Sequence, residues 1–396
     1  MRDTPVRRFT LALIALSVLL SAGDLVSGLL AEHGSLAAYA PRADSLPLMP
    51  AAQAAGAKPE VVGVFISEGY WHPKRASAKF AQLAESGVNF VVDYALKGPE
   101  HEGWEDEFDE YFAAAQYYGI GVAFPIGQEL HGASPETAPE YIANLMRLVR
   151  QIKPQRGISA WYVHDEVLPG VVDFDGTKHY SMTLDQMAAL YGEIAAEDPN
   201  RPQLCVWNYL PTYEQFKRVV DKERYLAADR PPWFDDEVLY EQAMQRLVTE
   251  TCDVVLVDTY PVGNPWLGDL QTPAEAVAEL TARGTALKSA TQPLYLVFQA
   301  FSWAQYFPEK NPNAPFPTRT EMRLMLCAAY ENGASGAIGY SWFDTASPVP
   351  ARCLAGCGQA HRDLIQVLRE LASMGWPKPP YILPPHGEPV CEEPKQ

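Results

Sequence analysis

The stretch Gly157-Ile-Ser-Ala-Trp-Tyr-Val-His-Asp-Glu-Val167 decides how this chain is read, because an apolar, strand-like run ends there in two adjacent carboxylates. A run rich in aromatic and β-branched residues suits a strand of a parallel sheet that is covered on both faces. In a barrel of such strands, the residues at the C-terminal ends build the active site. Asp165 and Glu166 are therefore expected at the centre of a pocket, with the other strand ends as its wall. The plainer alternative is that the pair forms a solvated turn or caps the next helix.

Outward from that stretch, strand-like and helix-like patterns alternate with little interruption from residue 60 onward. The strands fall at 61–67, 88–94, 121–126, 157–167, 203–209, 253–260, 294–301 and 336–343. The helices that follow them fall at 78–87, 107–119, 139–152, 183–197, 238–250, 273–288, 320–332 and 362–374. Apolar residues recur at three and four along 78–87, which ends on glycine, and Thr183 with Gln186 three residues later forms a capping box. Residues 211–236 are a long, aromatic, Pro-containing insertion after the fifth strand. Eight strand-helix units fit a (β/α)8 TIM barrel, whose typical length is ~250 residues before loop insertions. No Gly-x-Gly-x-x-Gly turn follows the first strand, as a nucleotide-binding open sheet would favour. The expected architecture is α/β, a single barrel over residues 58–376.

Residues 1–23 carry Arg2, Arg7 and Arg8 ahead of an apolar run at 11–20 and the small residues Ser21-Ala22-Gly23. That is the layout of a secretory signal. The alternative, an uncleaved anchor over 11–30, is interrupted by Asp24. Residues 24–57 then form an Ala/Pro-rich tether, and 377–396 a Pro-rich tail. The expected location is secreted or in the cell envelope, with no stable membrane partner unless the first segment stays as an anchor. Cys353 and Cys357, four apart in a Gly-rich loop, could close a disulfide, while Cys205, Cys252 and Cys327 lie in apolar runs and read as buried thiols. The eight histidines are scattered and the cysteines form no zinc pattern, so no metal and no cofactor is expected. A net charge of -18 argues against a nucleic-acid partner, whereas a neutral glycan remains compatible.

The residues at the strand ends give the site its chemistry: Glu68, Asp93, Gln128, Asp165-Glu166, Asn208, Asp258 with Tyr260, Gln299, and Trp342 with Asp344. Aromatics crowd beside them, among them Trp71, Tyr94, Trp303 and Tyr340. Flat aromatic faces stack on the apolar C–H faces of sugar rings, and Asp, Asn and Gln bridge hydroxyls. Core packing explains any one of these aromatics. It handles their clustering at strand ends poorly, and a carbohydrate substrate is the expected partner.

Three segments together resemble the TIM-barrel glycoside hydrolases of the large retaining clan that includes cellulases and β-galactosidases. They are Trp161-Tyr162-Val-His-Asp165-Glu166, the run from Asp253 through Asp258-Thr-Tyr260-Pro261, and the run from Glu321-Met322-Arg323 through Tyr340-Ser341-Trp342. The resemblance implies that Glu166 is the general acid/base, at a position usually preceded by Asn and here by Asp165. It also implies a nucleophilic glutamate at the end of the seventh strand, where this chain has Gln299. An amide cannot attack an anomeric carbon as a carboxylate does. Asp258 could supply the second carboxylate, Asp165 could orient a substrate acetamido group as the Asp-Glu pair of hexosaminidases does, or the barrel could bind glycans without cleaving them.

The leading expectation is a hydrolase of O-glycosidic bonds with Glu166 as acid/base, Asp258 as second carboxylate and Asp165 beside them. Glu68, Trp71, Asp93, Gln128, Asn208, Tyr260, Gln299, Trp303 and Trp342 are the expected substrate contacts. Glycoside cleavage needs carboxyls ~5 Å apart for retention or ~6.5 to 9.5 Å apart for inversion. Alternation places Leu256, Asp258 and Tyr260 on one face of their strand, which aims Asp258 at Glu166 if that face lines the barrel. Tyr162 and His164 are expected to give Glu166 the apolar surroundings that keep it protonated, and the hydroxyls of Thr259 and Tyr260 to keep Asp258 ionised.

Overall fold

The computed structural model describes residues 58–67, 73–96, 104–127, 136–166, 182–208, 210–219, 231–264, 272–343 and 357–377. The expected signal segment, tether and Pro-rich tail lie outside the described residues, as does Cys353 of the expected disulfide. Among the described residues no helix is long and apolar enough to cross a membrane.

In chain order the elements are β1 (Val62–Ile66), α1 (Pro73–Glu85), β2 (Phe90–Asp93), α2 (Trp104–Tyr117), β3 (Gly121–Pro125), α3 (Ala138–Ile152), β4 (Ile158–Asp165) and α4 (Leu184–Glu197). They continue with β5 (Gln203–Trp207), α5 (Tyr213–Val219), α6 (Glu237–Thr249), β6 (Val254–Thr259), α7 (Pro273–Leu287), β7 (Leu294–Gln299), α8 (Arg319–Glu331), β8 (Gly336–Tyr340) and α9 (Cys357–Met374). Each strand pairs in parallel with the next, and β8 closes onto β1 through Val62↔Ala337 and Val64↔Gly339. The chain is a (β/α)8 barrel.

Near-continuous apolar strands follow from this closure, since every strand has two buried faces. Phe65, Val92, Ala160, Leu204, Leu256, Val297 and Ile338 fill the barrel interior. Val64, Val91, Phe124, Cys205, Val255 and Leu296 face outward and pack beneath the helices, against residues such as Leu83, Leu145, Leu190, Leu247, Val277 and Leu368. The helices enter on threonine caps: Thr183, Thr272 and Thr318 each accept the N–H three residues on, and Gln186, Glu275 and Glu321 return the bond. Each cap stabilises its helix by ~1 kcal/mol. Cys205, Cys252 and Cys327 are buried, as their apolar surroundings suggest.

Strand β4 is longer than its neighbours and is tied at both ends. At its start Arg201 donates to the carbonyls of Ile158, Lys153 and Gln155 at 2.9, 2.8 and 2.8 Å and pairs with Asp198 at 2.7 Å. Trp161 Nε1 donates to the same aspartate at 3.1 Å. The register of β4 also slips twice, between Ile158 and Ala160 against β3 and between Tyr162 and His164 against β5. The second slip decides which side chains reach the site.

The described parts of the insertion after β5 fold against α6. Phe216 stacks on Tyr240 with ring centroids 4.8 Å apart and meets Phe234 at 5.3 Å, and Tyr240 donates its hydroxyl to the Pro211 carbonyl at 3.0 Å. Those aromatics extend the core between barrel and helices over α6. Residues 220–230 lie outside the described residues.

Candidate active site

Strict alternation after Tyr162 would turn His164 into the barrel and Asp165 out of it. The bulge at Val163 reverses both, because His164 pairs with outward-facing Cys205 and Asp165 with inward-facing Val206. The bulged peptide rests on Gly127, just past β3, where a Cβ would lie 2.0 Å from the Val163 carbonyl oxygen. Only glycine fits there. Beyond the bulge, Glu166 takes a left-handed backbone with φ of 56°, while its N–H donates to the Val206 carbonyl at 3.0 Å. For a residue with a Cβ that conformation costs ~1 to 3 kcal/mol, and such strain gathers at functional sites.

Three inward strand ends then converge. Asn208, after β5, donates Nδ2 to Glu166 Oε2 at 3.0 Å. Asp258 shares the inner face of β6 with Leu256 and Tyr260, is buried, and is in hydrogen-bonding contact with Glu166 and Tyr260. Burial pushes its pKa up to about 6; the hydrogen bonds from Glu166 and Tyr260 pull it down, and the charge of Asp165 raises it. Asp258 Oδ1 is buried with no hydrogen-bond partner among the described residues. Glu166 and Asp258 thus bring two carboxyl groups side by side at the inner rim of the barrel.

Asp165 is held separately. Its Oδ1 accepts the Tyr162 hydroxyl at 2.7 Å and its Oδ2 the Tyr94 hydroxyl at 3.2 Å, and the two hydroxyls are 3.4 Å apart. Burial, then the charge of Asp165, pushes both phenols far above their ordinary range, so they stay neutral donors. Tyr260 is raised likewise by burial and then by Asp258. Phe65 forms the floor, its ring 5.2 Å from Tyr94, 5.8 Å from Tyr162 and 5.2 Å from Tyr340, and Tyr340 lies 5.4 Å from Tyr260. The result is a carboxyl pair and a third, clamped carboxyl group in a bowl of tyrosines.

This architecture is similar to that of solved glycoside hydrolases. A β-galactosidase from Rahnella sp. R3 superposes with a TM-score of 0.49 at 11% identity over 81% of this chain and 58% of its own. A β-galactosidase from Marinomonas ef1 gives 0.49 at 14% over 78% and 59%, and a family 5 mannosidase from Rhizomucor miehei gives 0.48 at 12% over 80% and 92%. The chain thus spans less than two thirds of either β-galactosidase. No family model and no curated protein matches the sequence.

Several expected site residues lie elsewhere. Asp93 is turned out of the barrel, where its carboxylate accepts the Tyr111 hydroxyl of α2 at 2.7 Å and the Ala95 N–H at 2.9 Å. Its strand carries Phe90 and Val92 on the inner face, and alternation sends Asp93 to the other. Trp342 is buried in the outer layer, edge-on to His361 at 4.6 Å, because the chain bends into a helical turn directly after β8. It offers no face to a sugar. Gln299 points inward but is fully buried, with its amide committed to the backbone of Val262 and Phe301. Trp303 is buried behind Tyr260 and donates Nε1 to the Tyr260 carbonyl at 2.9 Å, so it supports the bowl from outside.

His164 lies in the outer layer beside Trp207, with ring centroids 6.1 Å apart, and burial lowers its pKa to about 3. It is not part of the surroundings of Glu166. The expected hydroxyl support for Asp258 comes from Tyr260, yet burial outweighs it and raises the carboxyl instead of holding it low. The carboxyl contact is also closer than the ~5 Å or more expected for glycoside cleavage. Glu68, Trp71 and Gln128 lie outside the described residues. Missed in the sequence were Tyr162 and Tyr94 as holders of Asp165, and Gly127 as the seat of the bulge. Tyr162 stands three residues before Asp165, but only the extra residue between them brings the two onto one face.

Proposed function

We propose that this chain is a glycoside hydrolase in which Glu166 and Asp258 act together on one glycosidic bond. The observation that carries this reading is their contact: a strained, partly exposed glutamate meets a buried, raised aspartate whose Oδ1 has no hydrogen-bond partner among the described residues. A raised carboxyl next to a second one, beside a polar-aromatic bowl, is what acid/base work at a sugar requires. Glu166 is the donor, because it lies at the open side and can turn from Asp258 to a glycosidic oxygen. Asp258, left ionised by that turn, faces the anomeric carbon. It attacks as the leaving group takes the proton of Glu166, and Glu166 then removes a proton from the water that releases the sugar.

The contact lies nearer the ~5 Å separation of direct attack than the water-filled gap of ~6.5 to 9.5 Å that inversion needs. Asn208 and the hydroxyls of Tyr260 and Tyr340 would meet sugar hydroxyls in this reading. The N-terminal segment fits export, so extracellular glycans are the substrates to offer first. The test is sugar release from a panel of plant, algal and bacterial polysaccharides by wild type and by Glu166→Gln. Release by wild type and its loss in the variant support the reading. Binding of a glycan with no release by either protein makes the barrel a binding module instead.

A further inference from the structure

Asn208, which donates to Glu166 Oε2 at 3.0 Å, is followed two residues later by the buried Leu210. The chain thus passes from the inner rim of the barrel to the helix layer within ~7 Å of backbone. Leu210 and Pro211 lie beyond the end of β5, so their carbonyls have no place in the sheet ladder, and a buried carbonyl needs a donor from elsewhere. Arg283 of α7 supplies it. Its Nε donates to the Leu210 carbonyl at 3.2 Å, and one terminal nitrogen donates to the Pro211 carbonyl at 3.2 Å. The same nitrogen pairs with Glu241 of α6 at 2.6 Å, and Glu241 accepts the Tyr213 N–H at 3.3 Å. The Pro211 carbonyl also accepts the Tyr240 hydroxyl at 3.0 Å. Helix α7 comes close enough for this because residue 284 is glycine: a Cβ there would stand 2.7 Å from Leu294 Cδ1 and 3.0 Å from Val257 Cγ1.

We propose that Arg283 is a positioning residue: from the helix layer it fixes the segment that leaves β5, and through that segment it holds Asn208 against Glu166. The guanidinium suits this task, since its planar fork spans two successive carbonyls while its charge stays paired with Glu241, and a lysine ammonium is a point charge without that fork. This rests on the hydrolase reading for its effect on rate, but not for its effect on the Asn208 amide. The opposing possibility is that Arg283 only knits α6 to α7. The two differ in whether a loss at Arg283 passes through Asn208, which a double-mutant cycle reads.

The experiment compares wild type, Arg283→Met, Arg283→Lys, Tyr240→Phe, Asn208→Ala and the Arg283→Met/Asn208→Ala double variant. Each is measured by kcat and KM on a glycan that wild type cleaves, and by NMR of the Asn208 side-chain amide without substrate. Thr285→Val is the control, since Thr285 ties α7 to the Asn332 carbonyl just past α8, at 2.6 Å. In Arg283→Met, kcat should fall at least ~10-fold with KM within about twofold, and the amide resonance should move toward that of a free amide. Arg283→Lys should recover part of the loss. In the Asn208→Ala background the change at Arg283 should cost less than about twofold more. Thr285→Val should leave both readouts as in wild type. Tyr240→Phe removes the other donor to the Pro211 carbonyl and should move the amide the same way, which keeps the test open if Arg283→Met does not fold. Losses that multiply in the double variant, or an amide resonance that stays in place in the folded variants, overturn the proposal. If wild type cleaves no glycan, the hydrolase reading fails while the amide resonance still decides the role of Arg283.

Discussion

Gln299 Oε1 accepts the Val262 N–H at 2.8 Å, and Gln299 Nε2 donates back to the Val262 carbonyl at 2.9 Å and to the Phe301 carbonyl at 3.0 Å. The amide thus pins the loop after β6 to the end of β7, the place where the resembled clan keeps its nucleophile. Restoring the clan's residue by Gln299→Glu should therefore add no hydrolysis. It should lower stability by at least ~2 kcal/mol, because two buried carbonyls lose their donor and face a carboxylate. Urea unfolding together with rates of sugar release checks this; a gain in rate would mean that the strand-seven position is the catalytic one after all.

The raised carboxyl of Asp258 links stability to pH. Its pKa moves from 3.8 to about 6 on folding, so the folded chain holds this proton more tightly than the unfolded one. The resulting stabilisation is complete below about pH 4 and is lost as pH rises through about 6, a change on the order of 3 kcal/mol. Asp258→Asn should accordingly be more stable than wild type near pH 8 and lose that advantage near pH 4. Unfolding free energies across that range, equal in their pH slope for both proteins, would show that Asp258 is not the raised group.

Trp342 and Trp376 are both core residues here, one beside His361 and one stacked on Tyr330 with centroids 5.3 Å apart. Replacing either with alanine should cost ~3 to 5 kcal/mol of stability, the usual range for a buried tryptophan. Neither change should alter glycan affinity in the protein that remains folded. A binding loss confined to Trp342→Ala, by calorimetry, would return that residue to the pocket wall.

The eight strand-helix units were legible in the sequence because the helices carry their own period with a start or stop signal, as with the Thr183–Gln186 cap and the glycine after 78–86. So was the inward aim of Asp258, once Leu256 is taken as a barrel-facing residue. Asp93 was not legible, because both faces of β2 are apolar and the sequence gives no parity there. The bulge at Val163 is also silent in the sequence. It consists of one extra residue, and it exchanges the faces of His164 and Asp165. Gln299 and Trp342 were misread for a shared reason: their partners, Val262 and His361, are set by closure of the barrel and not by local pattern.

Gly127 offers a way to disturb the site from behind. Gly127→Ala must push the Val163 carbonyl away from its 2.0 Å clash and carry Asp165 and Glu166 with it. Misplacement of catalytic groups on the ångström scale costs on the order of 100-fold in rate. Gly336→Ala is the control, since its Cβ would meet the Tyr295 ring at 2.5 Å at the other end of the barrel and should lower stability with little effect on kcat. Equal losses of kcat in both folded variants would mean that the bulge does not set the geometry.

The most direct test of the carboxyl pair is the turnover of Asp258→Asn on a glycan that wild type cleaves, measured beside its affinity for the same glycan. The exchange keeps the shape of the side chain and removes the charge that the proposed attack on the anomeric carbon needs. Expected is a fall in kcat of at least ~100-fold with affinity little changed. A variant that keeps more than about a tenth of wild-type kcat, where losing one transition-state contact already costs tenfold per ~1.4 kcal/mol, would contradict the assignment of Asp258 as the partner of Glu166.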